Sequence, residues 1–477
     1  MDEQAVTDAI AFGTDGWRAP LSTFTTERVE MVGQAIATVL DEQNRDGPIA
    51  IGYDAREHSP GFAAALADVL ASNGRGVVVA ARDCPTPTLA WTVATGPFVG
   101  GFVVTASHNP PEYNGLKFVL GDGTPALPEL TDEFERQLSA PVPSDPGDRV
   151  REQDLRGPYI EHVLGVLPDA FGIDLGLDGV TVAYDGMHGS GRDVTDAVLE
   201  RTGASVTRLR CERDPTFGGT APEPTPENAS TLTQQVTDGR ADIGFVNDGD
   251  ADRVGVVTPA RGFVDPNVVL AVVYDYLLEH ADGDAVRTVS TSSLVDRIAA
   301  EHGQTVHETA VGFKWVAEAM GEHGALLGGE ESGGYGVGVH LRNKDGVVLA
   351  LILACAHSAR PLDERIDDLF DTYGEIHQDR VSLDCPDEQK QPTLDALERE
   401  LPGDVAGVAV DRVSTVDGFK LTLEDGTWIL VRPSGTEPKL RIYAEATSET
   451  RVRELLDGGH EVVESALTET YSRRNNR

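Results

Sequence analysis

The stretch Thr105-Ala106-Ser107-His108-Asn109-Pro110 holds a serine placed to do chemistry. Upstream, Val99 to Val104 is a short apolar run suited to a buried strand, and Asn109-Pro110-Pro111 cannot continue it. Ser107 is therefore expected where a rigid strand gives way to a loop, at the strand end that opens into the ligand crevice of α/β proteins. With His108 beside it and Lys117 ten residues on, Ser107 is a candidate nucleophile or phosphate carrier. Taken alone, Ser-His-Asn in a loop also fits ordinary turn chemistry. The other loops decide between the two.

The second of these is Asp248-Gly249-Asp250-Ala251-Asp252-Arg253, after the strand-like run Asp242 to Asn247. Three carboxylates at alternate positions converge only where something offsets their repulsion, and hard oxygen donors suit Mg²⁺. A calcium EF-hand loop opens the same way, but its sixth position needs Gly and its twelfth Glu, where this chain has Arg253 and Pro259. A solvated acidic loop is the plain alternative. The third loop, Gly328 to Gly336, flanks Glu330-Glu331-Ser332 with glycines that let the backbone approach a ligand. Glu330 and Ser332 fall on one side of an extended turn and suit adjacent hydroxyls; a simple glycine-rich turn reads the same way.

The fourth is Arg432-Pro433-Ser434-Gly435-Thr436-Glu437-Pro438, between two strand-like runs. Its guanidinium, two hydroxyls and tight-turn N–H groups make an anion nest that fits a phosphate dianion. Further cations come after strand ends or glycine-rich turns: Arg18 in Phe12-Gly13-Thr14-Asp15-Gly16-Trp17-Arg18, Lys314 in Gly312-Phe313-Lys314-Trp315, and Arg56 in Tyr53-Asp54-Ala55-Arg56.

Apolar strand-like runs alternate with amphipathic helical ones around these loops, the pattern of parallel α/β sheets. Pro48 to Asp54, Val180 to Gly186 and Ala285 to Ser290 each read as a strand with a helical stretch after it. The spacing suggests three repeated α/β units of roughly one hundred residues. Pro141 to Gly147 is the clearest linker, and after Pro361 the strands read as a mainly antiparallel α+β unit. The expected division is 1–150, 151–258, 259–372 and 373–477.

With 79 acidic residues against 39 basic ones, the net charge is −40, and six of the basic residues are lysines. The acidic residues are spread along the chain, so a solvated, salt-adapted surface explains them better than an interaction tail. Nucleic acid and anionic membranes are excluded as partners because both need a basic face. Any phosphate site must be a local cluster of Arg, Lys and backbone N–H. The four cysteines form no C-x-x-C pair, which argues against zinc or a disulfide framework. Met1-Asp2-Glu3-Gln4 lacks a signal-peptide start, and the longest apolar run, Val347 to Ala356, is half a membrane span. A cytoplasmic protein is expected.

FGTDGWR, TASHNPPEYNGLKF, DGDADR, GEESGG and RPSGTEPKLR, in this order, resemble the α-D-phosphohexomutase family from residue 12 to about 443. The resemblance implies three related mixed or parallel-sheet α/β/α domains and a C-terminal α+β domain around a central cleft. It also implies that Ser107 carries a phosphoryl group and, with Asp248, Asp250 and Asp252, holds one Mg²⁺. Glu330 and Ser332 would grip sugar hydroxyls. Arg432, Ser434, Gly435, Thr436 and Arg441 would take the substrate's phosphate, with Arg253 and Lys314 nearby.

The implied reaction interconverts hexose 1-phosphate and hexose 6-phosphate through a hexose 1,6-bisphosphate, which also serves as activator. His108, Lys117 and Arg18 are candidates for proton transfer, Lys117 first on the expectation that burial near cations lowers its pKa. The Glu-Glu-Ser-Gly-Gly loop leans toward phosphoglucomutases over phosphomannomutases and phosphoglucosamine mutases. An Mg²⁺-dependent sugar-phosphate phosphatase using the Asp248–Asp250 pair is the rival of another class. The expected partner is a hexose phosphate, taken by a monomer or homodimer.

Overall fold

The computed structural model describes residues 9–13, 15–142, 145–399, 401–435 and 437–475. Its first sheet runs β1 (Trp17–Pro20), β5 (Tyr113–Leu120), β4 (Gly100–Val104), β2 (Ile49–Tyr53), β3 (Val77–Ala80) and β6 (Val150–Gln153). The second runs β11 (Gly262–Phe263), β10 (Val254–Thr258), β9 (Ile243–Asn247), β7 (Thr181–Asp185) and β8 (Ser205–Leu209). The third runs β13 (Val306–Thr309), β12 (Ala285–Thr288), β14 (Leu327–Gly329) and β15 (Tyr335–Val337).

One four-strand pattern underlies all three. In each, an antiparallel hairpin joins a central strand that is itself followed by two parallel neighbours: β5-β4-β2-β3, β10-β9-β7-β8 and β15-β14-β12-β13. The repeat inferred from spacing is therefore a repeat of topology. The hairpin loops are equivalent as well: β4–β5 carries Ser107, β9–β10 the aspartates, and β14–β15 Glu330 and Ser332. Both central strands β4 and β9 are buried along their whole length, which fixes the roots of the first two loops.

The first sheet extends past the expected division. After Pro141–Gly147, whose residues Pro143 and Ser144 lie outside the described set, the chain returns to pair β6 with β3 in parallel. That stretch is thus a return loop to an edge strand. Its sequence, Val-Arg-Glu-Gln, is too polar to betray a strand because only one side of it meets the sheet. Likewise β11 folds back on β10, which carries the second sheet to Phe263 rather than ending it at 258.

The fourth sheet runs β16 (His377–Asp384), β21 (Lys439–Ala446), β20 (Trp428–Pro433), β19 (Phe419–Leu423), β18 (Val408–Ser414) and β17 (Asp404–Val405), antiparallel throughout. Its own core packs under the helices Asp387–Arg399 and Glu449–Asn475. The second and third units instead share one continuous apolar core, crossed by the helices Pro266–Leu278 and Gly346–Ala359. The run Val347 to Ala356 is the buried length of the latter helix. No single described helix is long and apolar enough to cross a membrane.

Candidate active site

Ser107 is fully buried and has a φ of 50°, a left-handed conformation that non-glycine residues adopt at a cost of about 1–3 kcal/mol. Arg56 holds the turn there. Its guanidinium donates to the carbonyls of Ser107 (2.9 Å), Asn109 (2.7 Å), Pro110 (2.7 Å) and Tyr113 (3.0 Å), and to Asp54 Oδ2 (2.9 Å). Asp54 also accepts from the Thr105 hydroxyl at 2.8 Å, and that hydroxyl accepts from the Ser107 N–H at 2.8 Å. The serine's backbone is thus pinned on both sides. Its hydroxyl is directed by Asp248, whose Oδ2 accepts from Ser107 Oγ at 2.7 Å. His108 Nδ1 lies 3.4 Å from the same oxygen.

The aspartate loop closes on the serine loop with no room to spare. A Cβ on Gly249 would lie 2.5 Å from the Ser107 carbonyl oxygen and 2.9 Å from Pro222 Cγ. Asp248, Asp250 and Asp252 are fully buried, and each offers an oxygen within 4.8 Å of the others. Asp250 Oδ2 accepts from Thr86 (2.6 Å) and Lys117 (2.9 Å), and Asp252 Oδ2 from Lys117 (2.8 Å) with Lys344 Nζ at 3.0 Å. Their Oδ1 atoms are buried with no hydrogen-bond partner. Burial, then Asp250 and Asp252, push the Asp248 carboxyl well above the usual range. Orphaned hard oxygens on converging carboxylates fit Mg²⁺.

Asp15, Asp250 and Asp252 pair with Arg18, Lys117, Arg253 and Lys344, so the cluster is rich in both signs of charge. A phosphoserine adds about −2, which a divalent cation cancels. Lys117 bridges Asp15 (3.0 Å), Asp250 and Asp252. The expectation of a lowered Lys117 pKa is therefore wrong: burial lowers it, but these three carboxylates together hold the ammonium well above its ordinary value. His108 goes the other way, held well below the usual imidazole range by Arg253 first, then by burial and Arg18.

Glu330 is buried, and Gly312 N–H donates to its Oε1 at 3.1 Å. Its loop lies against the aspartate loop, since Val254 N–H donates to the Gly333 carbonyl (3.2 Å) and Arg253 bridges to Gly334. Ser332 is exposed at the loop's edge, and Lys314 opens the helix Phe313–His323 beside Gly312. In the β20–β21 turn, Arg432 pairs with Asp417 Oδ2 at 2.9 Å, and that oxygen also accepts from Val311 N–H at 3.1 Å. Asp417 thereby ties the turn to the third unit. Ser434 is buried, Gly435 exposed, and Arg441 donates to Glu437 at 2.8 Å; Thr436 lies outside the described residues.

Models of phosphoglucomutase/phosphomannomutase domains match in order: alpha/beta/alpha domain I over residues 9–142, II over 158–262, III over 265–373, and the C-terminal domain over 382–458. The chain belongs to the α-D-phosphohexomutase family. It is 36% identical to a probable phosphoglucosamine mutase of Methanopyrus kandleri, over 96% of this chain and 98% of that one. To a phosphoglucomutase/phosphomannomutase of Thermococcus kodakarensis it is 33% identical, over 96% and 99%. A crystal structure of a putative phosphomannomutase from Thermus thermophilus matches with a TM-score of 0.83 at 32% identity, over 96% and 99%.

Several residues of this phosphohexomutase escape a reading of the sequence. Lys344 and Asp15 are 329 positions apart yet 3.2 Å from each other, and Thr86 reaches Asp250 across 164. Lys344 is one of six lysines in the chain, and that scarcity was the available signal. Lys390, another, props the β20–β21 turn by donating to the Ser434 (2.6 Å) and Glu437 (2.7 Å) carbonyls. Arg56 is a scaffold for the serine loop and pairs with none of the three aspartates of the cluster.

Proposed function

We propose that this isomerase interconverts hexose 1-phosphate and hexose 6-phosphate, glucose first among the sugars, with Ser107 as the phosphoryl carrier. The single observation that carries the reading is the 2.7 Å hydrogen bond from Ser107 Oγ to Asp248, which sets a strained, rigidly held oxygen against the carboxylate cluster. Phosphoryl transfer asks a protein for positioning, for positive charge on the transferring oxygens and for a proton acceptor. Mg²⁺ held by Asp248, Asp250, Asp252 and an oxygen of phosphorylated Ser107 supplies that charge when bound. Lys117, Lys344, Arg18 and Arg253 add to it.

In the first half-reaction the bond from phosphorus to Ser107 Oγ breaks as one forms to the sugar's free hydroxyl. His108, 3.4 Å from Oγ, Lys117 and Arg18 are the candidates for moving the hydroxyl proton, which ends on the serine oxygen as its bond to phosphorus breaks. The bound hexose 1,6-bisphosphate then turns around, and its other phosphoryl group passes to Ser107. Glu330 and Ser332 orient the sugar, with Lys314 beside them. Arg432, Ser434, Gly435, Thr436 and Arg441 hold the phosphate that is not in transit, and must take either end of the sugar.

The glucose preference rests on Glu330-Glu331-Ser332-Gly333-Gly334 and Gly312-Phe313-Lys314-Trp315, since relatives carry glucosamine, glucose/mannose and, for a 31% identical Thermococcus kodakarensis protein, pentose names. The test is kcat/KM for glucose, mannose and glucosamine 1-phosphates, with Mg²⁺ and a trace of the 1,6-bisphosphate. Glucose is expected to lead. The Ser107→Ala variant separates the rival class: a phosphatase centred on Asp248 would go on releasing inorganic phosphate, whereas the mutase loses its turnover. The enzyme is read as cytoplasmic, monomeric or homodimeric, and independent of nucleic acid and membrane.

A further inference from the structure

Residues 340–346, His-Leu-Arg-Asn-Lys-Asp-Gly, extend from the third domain and engage the other α/β domains at each position. His340 Nδ1 lies 2.9 Å from His162 Nε2, and Leu341 is buried in the first domain's apolar cluster. Arg342 donates to Asp122 (2.7 Å) and Asn343 to the Gly123 carbonyl (2.9 Å). Lys344 Nζ reaches Asp15 (3.2 Å) and Asp252 (3.0 Å), Tyr159 O–H donates to Asp345 (2.6 Å), and Gly346 N–H donates to the Ala251 carbonyl (3.1 Å). The segment is the keystone of the three domains.

Within it, His340 and Asp345 close the turn that presents Lys344. Asp345 Oδ1 accepts from the Val347 and Val348 N–H groups, both at 3.0 Å, and caps the buried helix; Oδ2 accepts from Tyr159 and from His340 Nε2 at 2.7 Å. An acceptor with these donors requires a proton on His340 Nε2, and Nδ1 faces His162 Nε2 at 2.9 Å. The His340 side chain is 1% exposed. The His162 ring stacks on Trp91 of the first domain at 5.0 Å, so a line Trp91, His162, His340, Asp345 crosses all three domains.

We infer that His340 is a positioning residue: through Asp345 it fixes the turn that holds the Lys344 ammonium between Asp15 and Asp252. A lysine stem has four rotatable bonds, so the ammonium's place is set by the backbone beneath it. The inference rests on reading Lys344 as one of the transfer site's cations, but its test does not need turnover.

The experiment is acylation of the native enzyme with acetic anhydride and peptide mapping, which six lysines make simple. In wild type, Lys117 and Lys344 are both expected to resist. In His340→Ala, Lys344 acylation should rise at least ~10-fold while Lys117 stays within about 2-fold, and kcat should fall ~10-fold with KM nearly unchanged, as a small displacement of a charged group predicts. His340→Gln, whose amide N–H can donate to Asp345, should restore protection and kcat. If His340→Ala does not fold, His162→Ala, which removes the half-exposed ring behind His340, should give a smaller rise at Lys344. Protection of Lys344 unchanged in a folded variant, equal exposure of both lysines, or no rescue by Gln would each overturn the inference. A wild type with this labelling pattern but no mutase activity would sink the proposed function alone.

Discussion

Gly249 and Ser107 meet backbone to backbone, the Cβ that Gly249 lacks falling 2.5 Å from the Ser107 carbonyl oxygen. The loops come from different domains, so a methyl group at 249 must push the aspartates away from the serine. Gly249→Ala is expected to lower kcat at least ~100-fold, the usual effect of about 1 Å of misplacement at a reacting centre, while most of the melting temperature is retained. Steady-state kinetics beside a thermal melt checks this. Wild-type turnover in Gly249→Ala would show that the loops need not touch.

Arg56 is 1% exposed and makes five hydrogen bonds into the serine loop and Asp54. Removing one partner of such a buried pair costs about 3–5 kcal/mol, so Arg56→Ala should unfold at a markedly lower temperature. Arg56→Lys keeps the charge but cannot reach five acceptors at fixed angles. It should fold, and turn over slowly because the left-handed Ser107 backbone has lost its support. A lysine variant with normal kcat would remove Arg56 from the account.

Glu330 supplies a pH dependence. Burial first, then Glu331 and Asp15, raise its carboxyl against the pull of Lys344 and Arg253, to about 7 from 4.5. Below that pH the group is protonated, and in the proposed sugar-binding role it would lose the carboxylate's capacity to accept from two hydroxyls. The expected profile of kcat/KM climbs to about pH 7 and levels off, and Glu330→Gln lowers the plateau and flattens the climb. On stability the same shift has the opposite sign: a carboxyl with a raised folded pKa costs stability as pH rises from 4.5 to about 7. An unchanged pH limb in Glu330→Gln would assign it to another group.

Much of this was legible because the chemistry sits at strand ends. The apolar runs before Ser107, Asp248 and Glu330 announce buried strands, and glycine, proline and clustered carboxylates announce the loops beyond them. The polar edge strand Val150–Gln153 carries no such pattern. Nor does the keystone segment, whose residues have meaning only against partners in other domains. The sign of the Lys117 shift was lost for a related reason: the sequence shows Arg18 and Arg253 as candidate neighbours, whereas the fold packs Asp15, Asp250 and Asp252 against the ammonium. A pKa is set by whichever charges end up nearest, and that is a property of tertiary structure.

Surface charge gives a test independent of the site. The chain carries 79 acidic residues against 39 basic ones, a net −40, and of the basic ones Lys117, Lys344 and Lys420 are buried. Self-repulsion of that size is screened by salt. The melting temperature is expected to rise from dilute to molar potassium chloride. A flat or falling curve would contradict salt adaptation.

The most direct test of the central claim is intact-protein mass after incubation with glucose 1,6-bisphosphate and Mg²⁺, followed by mapping of the modified peptide. A species heavier by one phosphoryl group is expected, carried on Ser107 and absent from Ser107→Ala. A phosphoryl group on Asp248, or none on an enzyme that still turns over, would contradict it.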